Sequence, residues 1–290
     1  MILGVGGVFA GLVAGAFSLG VLTFMFVPLE RAFPARRSQP IVRPGLLVDA
    51  LFFFGQYAIW NAIVFAALSF LQEQVGARVP GGLRAAVAEQ PAWMQAIAAV
   101  ALGDLLVYWF HRASHAWGLL WRFHAVHHTA EHLDWLAAHR EHPVDGLCTA
   151  LAANLPAFVM GFETSGVAAL ITFRATWAIF VHSNVRLPLG PLRFLLGAPE
   201  LHRWHHARVE RTRHNFANLA PWLDVLFGTY HRPDPVQEEA YPLGVTEPTP
   251  SGYGSQLLHP FVSLGRAAGA LLAARLASRG GRSSDRRIGS

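Results

Sequence analysis

The chain has 290 residues, of which 53% are hydrophobic and only 14% are charged, whereas a typical soluble domain has about 25% charged residues. This composition excludes an ordinary soluble enzyme of this size and indicates an integral membrane protein. The 23 basic residues are all arginines and are dispersed along the chain, which argues against a nucleic-acid-binding surface, and the single cysteine, Cys148, excludes an internal disulfide or a multi-cysteine zinc site.

The N-terminal region, residues 1–91, is predicted to consist of transmembrane helices. About 20 consecutive apolar residues cross a bilayer as a helix, and the sequence provides such stretches at 5–28 and 46–71. The first stretch has no basic residues before it and is longer than the apolar core of a secretory signal peptide, which favours a membrane anchor.

The central region, residues 92–233, begins with a third predicted span at 92–110. The apolar stretch 146–181 is interrupted by polar residues at 161–166. We therefore predict a hairpin of two short spans, or a re-entrant pair, with a polar tip.

The C-terminal tail comprises residues 234–290. Two arginines interrupt its apolar segment 256–277, which favours an amphipathic helix lying on the membrane surface over a further span. Together these elements predict an all-α fold, an integral membrane helical bundle with a cytosolic histidine-rich helical cap.

Arginine placement predicts how this bundle is oriented. The loop after the first span contains four arginines and one acid, whereas the loop 72–90 balances two arginines against two glutamates. Positive residues mark the cytoplasmic side, so the N-terminus should lie outside, and the histidine-rich segments and the C-terminus inside. We expect a multi-pass protein of a bacterial inner membrane whose active site faces the cytoplasm.

Three histidine clusters carry most of the functional information. Each places histidines three or four residues apart, so that their imidazoles share one face of a helix. Imidazole is the commonest protein metal ligand and suits iron, zinc and copper. The clusters supply more ligands than one ion needs, and His182 adds another, which indicates two metal ions. The nine predicted ligands are His111, His115, His124, His127, His128, His182, His202, His205 and His206.

Acidic residues are absent from all three clusters. This argues against the carboxylate-rich di-iron sites of soluble bundles and against the His-Glu-x-x-His motif of zinc peptidases. Asp104 precedes His111 by seven residues and shares its helical face. It is a candidate to accept a hydrogen bond from a ligating imidazole, although a helix cap or a solvent-facing acid would also explain it.

Seven motifs occur in a fixed order between residues 92 and 233. They are His111-x-x-x-His115 after Asp104-x-x-x-Tyr108, Phe123-His124-Ala-Val-His127-His128, Ala138-His139-Arg140-x-His142-Pro143, His182-Ser-Asn184, Pro199-Glu-Leu-His202-Arg-Trp-His205-His206, Asn215-Phe216, and Trp222-Leu-Asp224-Val-Leu-Phe227-Gly228-Thr229-Tyr230. With these motifs the chain resembles the membrane-bound fatty acid hydroxylase and sterol desaturase superfamily.

The resemblance implies a cytosolic centre of two iron ions held by the nine histidines, with zinc as a substitute in purified protein. It also implies O₂-dependent hydroxylation, desaturation or ether cleavage of a sterol, hopanoid, carotenoid, fatty acyl or ether lipid. Electrons would come from a separate donor such as ferredoxin or cytochrome b5 with its reductase. Supporting positions around the ligands, or at the site entrance, would be His139, His142, Asn184 and Asp224.

Other uses of clustered histidines are a membrane zinc-dependent hydrolase, a metal transporter, and a haem or quinone carrier. A transporter should place its ligands near the membrane midplane, whereas these clusters lie at and beyond the ends of predicted spans. A haem carrier would need histidines in the middle of separate spans, without adjacent pairs. The metal bound by the purified protein distinguishes these alternatives.

Overall fold

The computed structural model describes residues 4–162, 164–209, 212–232 and 241–284. Within these ranges the chain is helical and forms no strand beyond two isolated bridges. The helices are α1 (Val5–Ala32), α2 (Leu46–Gly55), α3 (Asn61–Gly76), α4 (Gly81–Ala88), α5 (Ala92–Ala116), α6 (Gly118–His128), α7 (Pro143–Met160), α8 (Thr164–His182), α9 (Pro199–His205), α10 (Trp222–Leu226) and α11 (Tyr253–Ser284).

Five helical stretches of the described residues are long and apolar enough to cross a membrane. The second of them joins α2 to α3 through a π-helical turn, Gln56–Trp60. The predicted all-α membrane fold is confirmed, as is the division of the 146–181 stretch into two helices. Gly161 ends α7 with a φ of 72°, a left-handed conformation that glycine adopts without steric strain, whereas the predicted tip residue Glu163 lies outside the described residues.

Helix α5 is the centre of the bundle and packs against α6, α7 and α8. Gly103 allows its close approach to α7, because a Cβ atom there would lie 2.3 Å from the Ala153 carbonyl oxygen. Small residues are common where membrane helices meet closely. The last two turns of α5 carry His111 and His115 toward α6 and α9, which cap the bundle at this end.

Two segments differ from or extend the sequence-based picture. The interval 72–90, interpreted as a loop, contains the short helix α4. The tail forms the single long helix α11, whose stretch Tyr253–Arg275 is apolar enough to cross a membrane. Its first turns are held by a hydrogen bond from Gln256 Nε2 to Thr129 Oγ1, 3.1 Å. Its position on the membrane surface stays a prediction.

A buried four-charge network joins the first loop to the segment after α6. The Asp49 carboxylate forms ion pairs with Arg43 Nη1 at 2.7 Å and with Arg140 Nε at 2.5 Å. Arg43 also donates two hydrogen bonds to the Asp134 carboxylate. The Asp49 and Arg43 side chains are fully buried. Two positive and two negative charges balance, which such burial requires.

Replacing Asp49 with asparagine should lower the free energy of unfolding in detergent by about 3–5 kcal/mol, because it leaves two buried guanidinium groups facing one carboxylate. The matched control is Glu131→Gln, which breaks the exposed ion pair with Arg208 and should cost less than about 1 kcal/mol. Denaturant titration measures both. Equal losses would show that the network does not stabilise the fold.

Candidate metal centre

The nine histidines predicted as ligands lie together and are all buried. They form two groups in which the ligand atoms lie within 4.8 Å of one another. The first group has five members and the second has four: His111, His115, His124, His128 and His205, and His127, His182, His202 and His206. This partition supports one metal ion in each group.

Several imidazole nitrogens face each other at distances suited to a shared ion. In the second group the Nε2 atoms of His127 and His182 are 3.0 Å apart, and those of His182 and His202 are 2.9 Å apart. Two nitrogens at right angles around an ion, each about 2.1 Å from it, are roughly 3 Å apart. The spacing therefore fits imidazoles that surround a cation.

The hydrogen bonds of the outer nitrogens make this fit more specific. His127 Nδ1 donates to the Arg140 carbonyl at 3.0 Å, and His182 Nδ1 donates to the Ala178 carbonyl at 2.6 Å. Each neutral ring then has its only proton on Nδ1. Two Nε2 lone pairs face each other without a proton between them, an arrangement that a bound cation would stabilise.

Two histidines of the first group are held in the same way. His111 Nδ1 contacts the Phe216 carbonyl at 2.7 Å, and His205 Nδ1 contacts the His214 carbonyl at 2.8 Å. The inner Nε2 atoms of both rings are buried without a hydrogen-bond partner. Partners of this kind fix the tautomer of a metal-ligating histidine and direct its other nitrogen to the metal.

Asp145 is the carboxylate that directly contacts one of the nine histidines, and the sequence pattern did not predict it. Its Oδ2 lies 2.8 Å from His124 Nδ1, and both side chains are buried. Asp104 instead faces Arg174, with an N–O distance of 3.6 Å. The seven residues between Asp104 and His111 place it about 10 Å below that ligand along the helix axis. One signal was available, because Asp145 lies two residues after the motif Ala138-His139-Arg140-x-His142-Pro143.

Asp224 supports the centre through the backbone. Its two carboxylate oxygens accept the N–H groups of Phe216 and Ala217 at 2.8 and 3.0 Å, and its Oδ1 also accepts from Thr229. Burial raises the pKa of Asp224 to about 6. The Phe216 carbonyl in turn accepts a hydrogen bond from His111. Asp224 therefore positions His111 indirectly, through the Phe216 backbone.

The other three predicted supporting residues lie around the same site. His139 Nδ1 contacts Gln56 Oε1 at 2.8 Å, and its Nε2 is buried without a partner. His142 caps the N-terminus of α7, where its Nδ1 accepts the Val144 N–H at 3.1 Å. Asn184 bonds the Arg36 backbone through its side chain. These contacts anchor the surrounding loops.

Burial keeps the ligands uncharged. Desolvation, followed by the neighbouring imidazoles, lowers the pKa of His127, His128, His202 and His206 well below the ordinary value of 6.5. Desolvation also lowers the pKa of His205 to about 3. Neutral imidazole is the form that binds metal, so these histidines are in the protonation state that metal binding requires.

Comparison with known proteins agrees with this geometry. Residues 96–229 match the family model of the fatty acid hydroxylases. This match covers slightly less than half of the chain. The resemblance seen in the sequence is thereby confirmed, and all nine histidines lie within the matched range.

Among its relatives, the chain is 31% identical over 178 residues to the ornithine lipid hydroxylase OlsE of Rhizobium tropici, which covers 61% of this chain and 53% of that protein. It is 30% identical over 131 residues to the alkylglycerol monooxygenase of Danio rerio, covering 44% of this chain and 28% of the relative. The chain thus spans about half or less of these relatives. No solved structure matches it significantly.

Replacing Asp145 with asparagine should weaken metal binding by about 10- to 100-fold, because the His124 ring loses the carboxylate that orients it. The matched control is Asp104→Asn, whose carboxylate contacts Arg174 rather than a ligand. Metal retained during chelator titration measures both. A larger loss in the control would assign the supporting role to Asp104.

The metal-free protein should lose stability as the pH falls below about 6.5. Unfolded histidines take up protons near that pH, whereas the folded ligands, whose pKa is lowered, do not. The unfolded state then binds more protons, and the free energy of unfolding decreases with falling pH. The measurement is Tm in detergent from pH 7.5 to 5.5. A Tm that rises toward pH 5.5 would contradict the neutral-imidazole assignment.

Proposed function

We propose that the protein is an O₂-dependent membrane lipid oxygenase whose nine histidines hold two iron ions. The observation that carries the proposal is the division of nine buried imidazoles into groups of five and four. A catalytic zinc site usually has three protein ligands, whereas imidazole also suits iron. The match to the fatty acid hydroxylase model and the hydroxylase and monooxygenase among the relatives support the same reaction class.

Bound iron would supply O₂ reduction and hydrogen removal from an unactivated C–H bond, chemistry that side chains alone do not provide. The part of this chain is to hold and shield the site. Asp145 and the carbonyls of Phe216 and Arg140 orient ligand rings from outside. The Arg140 carbonyl is itself positioned by the bond of its side chain to Asp49.

A cavity of about 390 Å³ beside the centre supports a lipid substrate. It lies among α3, α5, α7 and α8 and has a mainly apolar lining, which would keep water from the reacting carbon. Two wall residues lead to the metal ligands. Val107 precedes His111 by one turn, and Ala178 supplies the carbonyl that binds His182.

Polar groups on the cavity wall favour a lipid substrate with hydrogen-bonding groups rather than a pure hydrocarbon. The amide oxygens of Asn154 and Asn218 are buried without a partner, and burial of this kind is costly unless a ligand satisfies it. The Asp104–Arg174 pair lies on the same wall. Hydroxylation of a polar acyl or ether lipid is the reaction we favour, with desaturation as the related alternative.

Glu141 is placed to hold a proton beside this cavity. Its carboxyl lines the cavity, and burial together with the charge of Asp145 raises its pKa. This shift favours the protonated carboxyl. Insertion of one oxygen atom from O₂ into a C–H bond takes up two electrons and two protons and releases one water. In this proposal, a protonated Glu141 would supply one of those protons.

The arginine-rich loop after the first span indicates which side of the membrane the histidines face. The Arg31–Arg43 loop lies at the same end of the bundle as the histidines, since Arg36 N–H bonds Asn184, and positive loops face the cytoplasm. We infer a multi-pass membrane protein whose centre faces the cytoplasm. Electrons would come from a separate donor such as ferredoxin or cytochrome b5 with its reductase.

Replacing His128 or His206 with alanine should abolish lipid oxidation without preventing membrane insertion, because insertion depends on apolar helix length. The controls are His132→Ala and His259→Ala, which lie outside both histidine groups and should retain most activity. The measurement is mass spectrometry of lipids from membranes that express each variant.

Labelled oxygen tests the reaction itself. With ¹⁸O₂, a hydroxylase should place the label in the lipid product, whereas a desaturase should form a double bond and label only water. Both should require a reductant and an electron donor. Product formed without O₂, with its oxygen derived from water, would indicate zinc-type hydrolysis and overturn the proposal.

A further inference from the structure

A second cavity, of about 510 Å³, lies between α1 and α2. It is separate from the cavity beside the metal centre and shares none of its lining residues. The loop after α1 and the segment 134–136 line its mouth. Its lining changes from apolar to basic along its length, and this change indicates the ligand.

The deep part of the cavity is an apolar crevice. Leu19, Thr23 and Val27 follow one face of α1 at intervals of four residues, and Leu46 and Ala50 oppose them from α2. Leu19 lies about 18 Å along the helix from Arg31. One leaflet of the hydrocarbon core is about 15 Å deep, so the crevice has the length of one acyl chain.

The mouth of the cavity carries two available positive charges. Arg31 and Arg37 line it and are exposed, and no ion pair within the described ranges joins either to an acid. The acids nearby are already occupied. Glu30 Oε1 accepts the N–H groups of Trp135 and Asn184, both at 2.9 Å.

The other acid at the mouth is Asp134, and its charge is also balanced. Both of its oxygens bind the buried Arg43 guanidinium, at 2.5 and 2.6 Å. The entrance therefore has an excess of positive charge at the level where the first apolar helix ends. Basic pockets between membrane helices on the cytoplasmic side commonly receive anionic lipid headgroups.

We propose that this crevice binds an anionic phospholipid. The phosphate group would accept hydrogen bonds from the Arg31 and Arg37 guanidinium groups, and one acyl chain would lie against Leu19, Val27 and Leu46. The bound lipid would also contact the Trp135–Leu136 segment and Asn184. It would thereby brace loops that lead directly to His139 and His182.

The test uses the full-length protein in nanodiscs of phosphatidylcholine that contain 0 to 30% phosphatidylglycerol, on the order of the anionic content of a membrane surface. Phosphatidylglycerol should raise Tm and remain bound in native mass spectrometry. The double variant Arg31→Gln/Arg37→Gln should bind it about 30-fold more weakly, because each charge contributes roughly fivefold. Thr23→Trp, which fills the crevice from an exposed position, should also reduce retention.

The control is Arg213→Gln/Arg232→Gln, which removes the same charge at exposed positions away from the crevice and should retain the lipid. Four results would overturn the proposal. Protection by millimolar inorganic phosphate equal to that by the lipid would indicate a free-anion site. Unchanged lipid retention in Thr23→Trp, or equal loss of lipid in both double variants, would indicate general surface attraction. If Arg31→Gln/Arg37→Gln kept the lipid and lost only its binding to an acidic redox protein, the crevice mouth would instead be a docking site for the electron donor.

Discussion

Nine buried imidazoles in contact with one another are the constraint on which this structure depends. A buried polar nitrogen without a partner costs free energy, and a protonated ring in this cluster would face several others. The protein satisfies the constraint by lowering the pKa of the ligands and by binding outer nitrogens to carbonyls and to Asp145. The imidazoles then lie in two groups whose ligand atoms are within 4.8 Å of one another, and we propose that a metal ion completes each group.

This requirement extends outward into the bundle. The carbonyl that holds His127 belongs to Arg140, whose side chain is fixed by Asp49 on α2. The carbonyl that holds His111 belongs to Phe216, whose N–H is held by Asp224. Helices that cross the membrane and loops that cap it are therefore joined through the metal site. Disturbing the buried charges near α2 should affect both folding and the geometry of the ligands.

The sequence predicted the helices and all nine grouped histidines, because apolar length and three- or four-residue spacing are local signals. It did not predict the contacts between distant segments. Asp104 shares a face with His111 but lies two turns away, whereas Asp145 approaches His124 only because α7 packs beside α6. Asp49 was hidden in an apolar stretch, since its partners Arg43 and Arg140 come together only in the fold. The division of the ligands into two groups likewise required coordinates.

The most direct test of this account is the metal content of the purified protein combined with X-ray absorption at the iron edge. We predict about two irons per chain, surrounded by nitrogen atoms at roughly 2.0–2.2 Å, by analogy with zinc–imidazole distances. Asp145→Asn should lower the iron content without changing the metal's identity. A single zinc ion per chain, or iron surrounded mainly by oxygen or sulfur, would contradict the assignment of the nine histidines to a two-iron centre.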